Sequence, residues 1–190
     1  MKSLILDSAT KNLYCALIID NEVVFEEYIS GTNDHAKRVV DVVDKACKKA
    51  NIRALDLDEV ICGIGPGSYT GVRMAVTVCK MLASLSNVKM KTISTLLLMS
   101  SGSDGVCKAS IDARRGNSFT GFYKKGYKLA DEGMYPNDYE PFKCDSYVNE
   151  ANFKVDPLLV INKAIEVENP FIVVPNYLRD TEAERNLKHD

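Results

Sequence analysis

A glycine-rich segment, GIGPGSYTGVR at positions 63–73, joins two apolar stretches of the chain. The stretch before it, 59–64, has the composition of a buried strand, and the stretch after it, 70–85, has that of a helix. A strand that enters a helix through a tight glycine turn is typical of α/β proteins. This order of strand, loop and helix therefore indicates an α/β fold.

The glycine loop itself admits two interpretations. Glycines let backbone N–H groups approach an anion at a helix N-terminus, so the loop could be a phosphate cradle. The loop could also be structural, because Pro66 and Gly67 favour a tight turn and Gly71 lets another backbone segment pass close by. Ser68 or Thr70 could cap the helix. We favour the structural role, in which the loop positions the helix for a partner, and a residual nucleotide contact stays open.

The helix predicted over 70–85 has more apolar surface than one sheet can cover. Its polar positions form one narrow stripe, which contains Arg73, Thr77, Lys80 and Ser84. The rest of the circumference is apolar. We expect this helix to be covered by its own sheet on one side and by a second layer or another protein on the other.

The chain before the glycine loop contains three short runs of strand composition and one amphipathic segment. The runs are 3–7, 13–20 and 23–29. Their spacing predicts an antiparallel meander. Apolar residues then recur at three and four positions over 35–50, which predicts a helix. Thr32, Asn33 and Asp34 offer oxygens to cap it.

The second half begins with another set of strands after the polar stretch SSGSDG, which resembles a domain boundary. Before this stretch we expect a strand at 89–93 and a short helix at 96–100. After it we expect strands near 108–112, 118–123 and 128–135 and a helix over 156–166. Two such units predict a duplicated ribonuclease-H-like α/β fold. We divide it into an N-terminal lobe, 1–103, and a shortened C-terminal lobe, 104–190.

The composition argues against a protein that grips nucleic acid or membrane directly. The net charge is −2, whereas a phosphate-binding protein usually has a basic stripe. The six cysteines form no C-x-x-C pair, which favours a reduced, cytoplasmic chain. The N-terminus has no signal-peptide core, and no apolar run is long enough to span a membrane.

Four motifs carry a resemblance to a known family. They are ILDSAT after the first strand, GPGSYTGVR, IDARRG and the C-terminal PNYLRDTEAE. In this order they resemble TsaB proteins, accessory subunits in the synthesis of threonylcarbamoyladenosine on tRNA. The resemblance implies the fold shared by actin, Hsp70 and hexokinase.

The resemblance also implies partners. TsaB proteins bind the related catalytic subunit TsaD, and a larger complex includes the ATPase TsaE. It therefore implies a non-catalytic scaffold that requires no cofactor and meets tRNA only indirectly. Without its partner, the same surface could form a homodimer.

An enzymatic role is the alternative. A metal site of the TsaD type needs two histidines one helical turn apart, but His35 is followed at plus four by Val39. We therefore predict no metal site. An ATPase or kinase of this fold would hold Mg-phosphate between Asp7 and Asp112, which both follow predicted strands.

Two sets of candidate site residues follow. Those expected at a partner interface are His35, Val39, Val43, Val72, Arg73, Val76, Cys79 and Ala83; which of the apolar ones face the sheet is open at this point. Those expected at a vestigial nucleotide site are Asp7, Ser8, Gly65, Gly67, Ser68, Thr70, Gly71, Asp112 and Arg114.

Overall fold

A computed structural model describes residues 1–31 and 35–178, without the side chains of 35–37. The predicted cap residues Thr32, Asn33 and Asp34, His189 and most of the C-terminal motif lie outside the described residues. None of the helices in the described part has the length and apolar character needed to cross a membrane.

The first sheet contains six strands. In chain order they are β1 (Lys2–Asp7), β2 (Asn12–Ile19), β3 (Glu22–Ser30), β4 (Glu59–Gly63), β5 (Lys89–Ile93) and β11 (Ile165–Glu166). Their spatial order is β11-β5-β4-β1-β2-β3. Strands β1 to β3 form the predicted antiparallel meander, while β4 and β5 run parallel to β1.

Three helices pack on this sheet. They are α1 (His35–Lys49), α2 (Tyr69–Leu85) and α3 (Thr95–Ser100). One face of the sheet, with Leu4 and Leu17, packs against α1 and α2. The opposite face, with Ile5 and Tyr14, packs against α3 and the second sheet. The residues of β2 from 13 to 18 are all buried, so this strand is covered on both faces.

The second sheet and one short α-helix follow, and two 3₁₀ helices, Ala54–Asp56 and Pro170–Ile172, complete the described fold. The second sheet and the α-helix comprise β6 (Val106–Arg114), β7 (Asn117–Lys124), β8 (Tyr127–Lys128), β9 (Gly133–Pro136), β10 (Ser146–Val148) and α4 (Pro157–Lys163). The sheet order is β10-β6-β7-β8, and β9 also pairs with β7. Apolar residues of β6, such as Cys107 and Ala109, face the core shared with α3.

Two elements differ from the sequence prediction. The strand predicted over 128–135 is divided into β8 and β9, which pair with different parts of β7. Between them the chain leaves β7, and there Glu132 accepts a hydrogen bond from the hydroxyl of Tyr123 at 2.6 Å. The helix predicted over 156–166 ends at Lys163, because the next residues pair with β5 as β11. The chain thus returns to the first sheet after the second, and the division at residues 103 and 104 stays a prediction.

Candidate functional site

The glycine loop packs directly against the turn between β1 and β2. A side chain at Gly71 would collide with the carbonyl oxygen of Ser8, and one at Gly67 would collide with that of Ala9. The amide of Ser68 donates to the Ala9 carbonyl at 2.6 Å. Backbone approach this close requires residues without a Cβ. These glycines therefore join two backbone segments of the chain itself.

The hydroxyl of Ser8 extends this junction into α2. It donates to the carbonyl of Gly71 at 2.6 Å and accepts from the amide of Ala75 at 3.2 Å. Ser8 is fully buried. At the surface, the Ser68 hydroxyl accepts from the Gly71 amide and caps the helix, as the sequence predicts for one of its two cap candidates.

Asp7 lies at the centre of the junction and is 2% exposed. Its Oδ2 accepts from the Thr95 hydroxyl at 2.6 Å, and its Oδ1 accepts from the Ala9 amide at 2.7 Å. Thr95 also accepts from the amide of Gly65 at 3.0 Å. Burial raises the pKa of Asp7 to about 6, although these two hydrogen bonds oppose the shift. Both carboxylate oxygens are therefore engaged within the chain.

Part of the predicted nucleotide set comes together beside this junction. Gly67, Ser68, Asp112 and Arg114 line one small cavity of about 350 Å³. Asp112 accepts from the Arg114 amide at 2.8 Å and pairs with its guanidinium at 3.6 Å. Asp7, Ser8, Gly65 and Gly71 lie buried behind the cavity, and Thr70 is exposed on α2. The role of this set in nucleotide binding stays a prediction.

Five of the predicted interface residues are core residues of this chain. They are Val39, Val43, Val72, Val76 and Cys79, which are at most 5% exposed. All five pack in the cluster between the first sheet and the helices α1 and α2. In the chain by itself these side chains face the sheet and the neighbouring helix instead of the surface, and their place in a partner interface stays a prediction. Ala83 is half-buried and Arg73 is exposed. The side chain of His35 lies outside what the structure describes.

An apolar groove is nevertheless open on the outer side of α1 and α2. Its volume is about 380 Å³, and its lining consists of Val39, Tyr69, Thr70, Arg73, Met74, Thr77 and Val78. Tyr69 and Thr77 are exposed, while Met74 and Val78 are half-buried. We call this surface the outer groove. The sequence analysis names Arg73 as a candidate for a partner interface but does not name Tyr69, although Tyr69 lies within the GPGSYTGVR motif.

The C-terminal segment 167–178 borders the outer groove. The Asn176 amide donates to the Ile64 carbonyl at 2.7 Å, and the Lys80 ammonium donates to the Phe171 carbonyl at 3.0 Å. These contacts bring the ring of Tyr177 to 5.3 Å from that of Tyr69, stacked at 27°. The Arg73 guanidinium lies over the ring of Tyr69, 4.7 Å from its centroid. The YLR part of the C-terminal motif was the available signal for Tyr177.

The fold of the chain identifies its structural class. The fold of the chain matches the solved structure of YeaZ from Pseudomonas aeruginosa with a TM-score of 0.80. That match covers 93% of this chain and 99% of the other at 20% identity, so it shows the fold. The fold is thus the α/β fold of ribonuclease-H type with two sheets that the sequence predicts.

Sequence comparison then defines the family. The family model for TsaD, tRNA N6-adenosine threonylcarbamoyltransferase, matches residues 26–155. The TsaB protein of Bacillus subtilis is 31% identical over 127 residues, and that of Escherichia coli is 29% identical over 130 residues. The chain belongs to this family and, within it, to the TsaB/YeaZ group.

The sequence matches are partial in length. The Bacillus subtilis alignment covers 65% of this chain and 56% of its relative. The Escherichia coli alignment covers 66% of this chain and 56% of its relative. The chain therefore matches about half the length of both curated relatives.

Proposed function

We propose that this protein takes part in threonylcarbamoyladenosine biosynthesis on tRNA as a non-catalytic scaffold subunit. The TsaB relatives from Bacillus subtilis and Escherichia coli are named as proteins of this pathway, and the matching family model describes TsaD. In this proposal the outer groove binds TsaD, which supplies the catalytic residues. A part in tRNA modification would make the protein cytoplasmic, with contact to tRNA only through its partners.

The observation that carries the proposal is the outer groove itself. It is apolar, it lies between two packed helices, and it is bordered by the exposed pair Tyr69 and Tyr177 with Arg73 beside them. Tyrosine and arginine are the residues that most often dominate the binding energy of protein interfaces. A partner helix laid along α1 and α2 would bury this groove and the stacked rings together.

The state of Asp7 also supports a scaffold. A phosphate-binding acid must face its ligand, but the Asp7 carboxylate is buried and accepts from Thr95 and Ala9. Position 39, where a second metal-binding histidine would stand one turn after His35, is a buried valine. These features oppose Mg-phosphate or metal chemistry of the kind expected for a catalytic relative.

The test of the interface is the substitution Thr77→Arg. Thr77 is exposed and lines the outer groove, so an arginine there would put a charge into the apolar contact without disturbing the core. We expect the affinity for TsaD of the same organism to fall by about tenfold or more, and the stability to change by less than about 0.5 kcal/mol. Binding is measured by isothermal titration calorimetry and stability by urea unfolding.

The matched control is Asn162→Arg, an exposed polar residue on α4 in the second half of the chain. It should bind TsaD as the unchanged protein does. Equal binding by both variants and the unchanged protein would remove the outer groove from the interface. A charge at Val76 is not a suitable test, because this side chain is 5% exposed and its substitution would disturb the core.

The outer groove is also our candidate surface for self-association. We propose that the isolated protein pairs through the outer groove as a homodimer, and that TsaE joins a larger assembly once TsaD is bound. Light scattering of the purified chain should give a dimer that Thr77→Arg converts to a monomer. If the unchanged protein and Thr77→Arg are both monomers, the outer groove does not mediate self-association and is a candidate only for binding TsaD.

An ATPase or kinase-like activity is the second candidate, favoured by one observation. Gly67, Ser68, Asp112 and Arg114 meet at a cavity beside the glycine loop. Incubation of the purified chain with Mg-ATP separates the two functions. Release of phosphate without a partner, lost in Asp112→Asn, would favour the enzyme and count against the scaffold.

A further inference from the structure

A third cavity, lined mostly by polar residues, lies on the face of the second sheet that points away from the shared core. Its volume is about 790 Å³, which is within the range of small-molecule sites. Along β6, Cys107, Ala109 and Ile111 point into the core, and the alternate residues Lys108 and Ser110 line the cavity. Lys11, in the turn before β2, and Asn12, at the start of β2, also line it.

Lys108 is the unusual residue of this cavity. It is 7% exposed, and its ammonium donates to the carbonyl oxygens of Asn137 at 3.0 Å and Tyr139 at 2.8 Å. These acceptors are neutral, so they fix the ammonium but leave its charge uncompensated. Within residues 1–31 and 35–178, no carboxylate forms an ion pair with Lys108. A buried charge without a counter-ion is costly.

Lys91 provides an internal comparison. Its side chain is 19% exposed, and its ammonium lies 2.7 Å from the buried carboxylate of Glu59. The fold thus supplies a counter-ion to this largely buried lysine. Lys108 has two carbonyl oxygens as its recorded acceptors instead, and it lines a cavity.

The two carboxylates that line the cavity are engaged elsewhere. Glu150 accepts from the backbone amide of Lys11 at 3.0 Å. Asp112 accepts from the Arg114 amide at 2.8 Å. Neither of them neutralises Lys108. The remaining wall contains neutral hydrogen-bonding groups, among them Ser110 and Asn149.

We propose that this cavity binds a small molecule through a carboxylate or phosphate group, with Lys108 as the counter-ion. The two carbonyl contacts hold the ammonium in place before the ligand arrives, which lowers the entropic cost of binding. Neutral side chains of the wall would hydrogen-bond to the rest of the ligand. This site is independent of the outer groove, which lies on other elements of the fold.

The test uses inorganic phosphate and acetate as separate probes, at constant ionic strength set with chloride. Phosphorus-31 and carbon-13 NMR of the two anions measure binding to the full chain. We expect at least one of them to bind, and Lys108→Met to weaken it by at least about tenfold. The control Lys124→Met, an exposed lysine on the neighbouring strand β7, should bind like the unchanged protein. The preferred anion identifies the ligand group as carboxylate or phosphate.

A second measurement keeps the proposal testable if Lys108→Met does not fold. In amide NMR spectra of the unchanged protein, either anion should shift the signals of Lys108, Ser110 and residues 137–139. Shifts confined to this region support the site. Absence of binding by both anions, equal binding by the two lysine variants, or shifts spread over exposed lysines would overturn it.

Discussion

The inner and outer sides of α2 differ in how the chain uses its polar groups. On the inner side, Asp7, Ser8 and Thr95 donate to or accept from backbone groups of the glycine loop and its neighbours, and all three are buried. On the outer side, Tyr69 and Arg73 contact one another at the surface. The inner side is completed by the chain, whereas the outer side is open to another molecule. The motif GPGSYTGVR therefore serves the fold with its glycines and leaves its tyrosine and arginine exposed at the surface.

The strongest test of this difference is Gly71→Ala. Alanine is a better helix former than glycine by about 1 kcal/mol, but its methyl group would collide with the carbonyl oxygen of Ser8, which is backbone and cannot rotate away. We expect the collision to dominate and the free energy of unfolding to fall by about 3 kcal/mol. Urea unfolding followed by circular dichroism measures it.

The control for this substitution is Gly116→Ala. Gly116 differs from Gly71 in having a positive φ, of 76°, and no atom lies within 4 Å of the position that its Cβ would take. Only backbone strain of about 1 kcal/mol is expected there. If the free energy of unfolding falls by the same amount in both variants, the close packing at Gly71 does not stabilise the loop.

Asp7 should make stability depend on pH. Burial raises its folded-state pKa from 3.8 to about 6, so the folded protein holds a proton that the unfolded chain has released. The stabilisation is complete below pH 3.8 and is lost as the pH rises through 6. The stabilisation lost is on the order of 2 to 3 kcal/mol for a pKa shift of this kind.

The measurement compares the unchanged protein with Asp7→Asn, which cannot ionise. Urea midpoints are determined at intervals between pH 4 and pH 7, the range of this titration. As the pH rises, the free energy of unfolding of the unchanged protein should fall relative to that of Asp7→Asn. A difference that does not change over this range would mean that the carboxyl is not held in the buried, hydrogen-bonded state.

The sequence predicted the inner side of α2 better than the outer side, for a physical reason. Glycine spacing and strand composition depend on local backbone geometry, so the loop, the cap at Ser68 and the bounds of α1 and α2 followed within one or two residues. The apolar period of α2 identified residues that are buried, such as Val72 and Val76. It did not reveal what buries them, because a sheet, α1 and a partner protein all select the same side chains.

Contacts between residues far apart in the sequence could not be predicted from local sequence patterns. Tyr177 stacks on Tyr69 across more than half of the chain, and β11 adds to an edge of the first sheet after the second sheet is complete. Lys108 followed the strand pattern of β6, but its burial depends on the 137–139 turn that covers it. Such placements depend on tertiary packing, which the period of a single element does not contain.

The smallest expected effect concerns the stacked pair at the outer groove. Tyr69 and Tyr177 are both about half exposed, at 48% and 44%, so most of their contact energy should be left for a partner. A double-mutant cycle of Tyr69→Ala and Tyr177→Ala should give a coupling in stability of about 0.5 to 1 kcal/mol. The same cycle measured on binding to TsaD should give a larger coupling, because a bound partner would exclude water from the two rings. Coupling that is equal in both measurements would make the pair a brace for the C-terminal segment and not part of an interface.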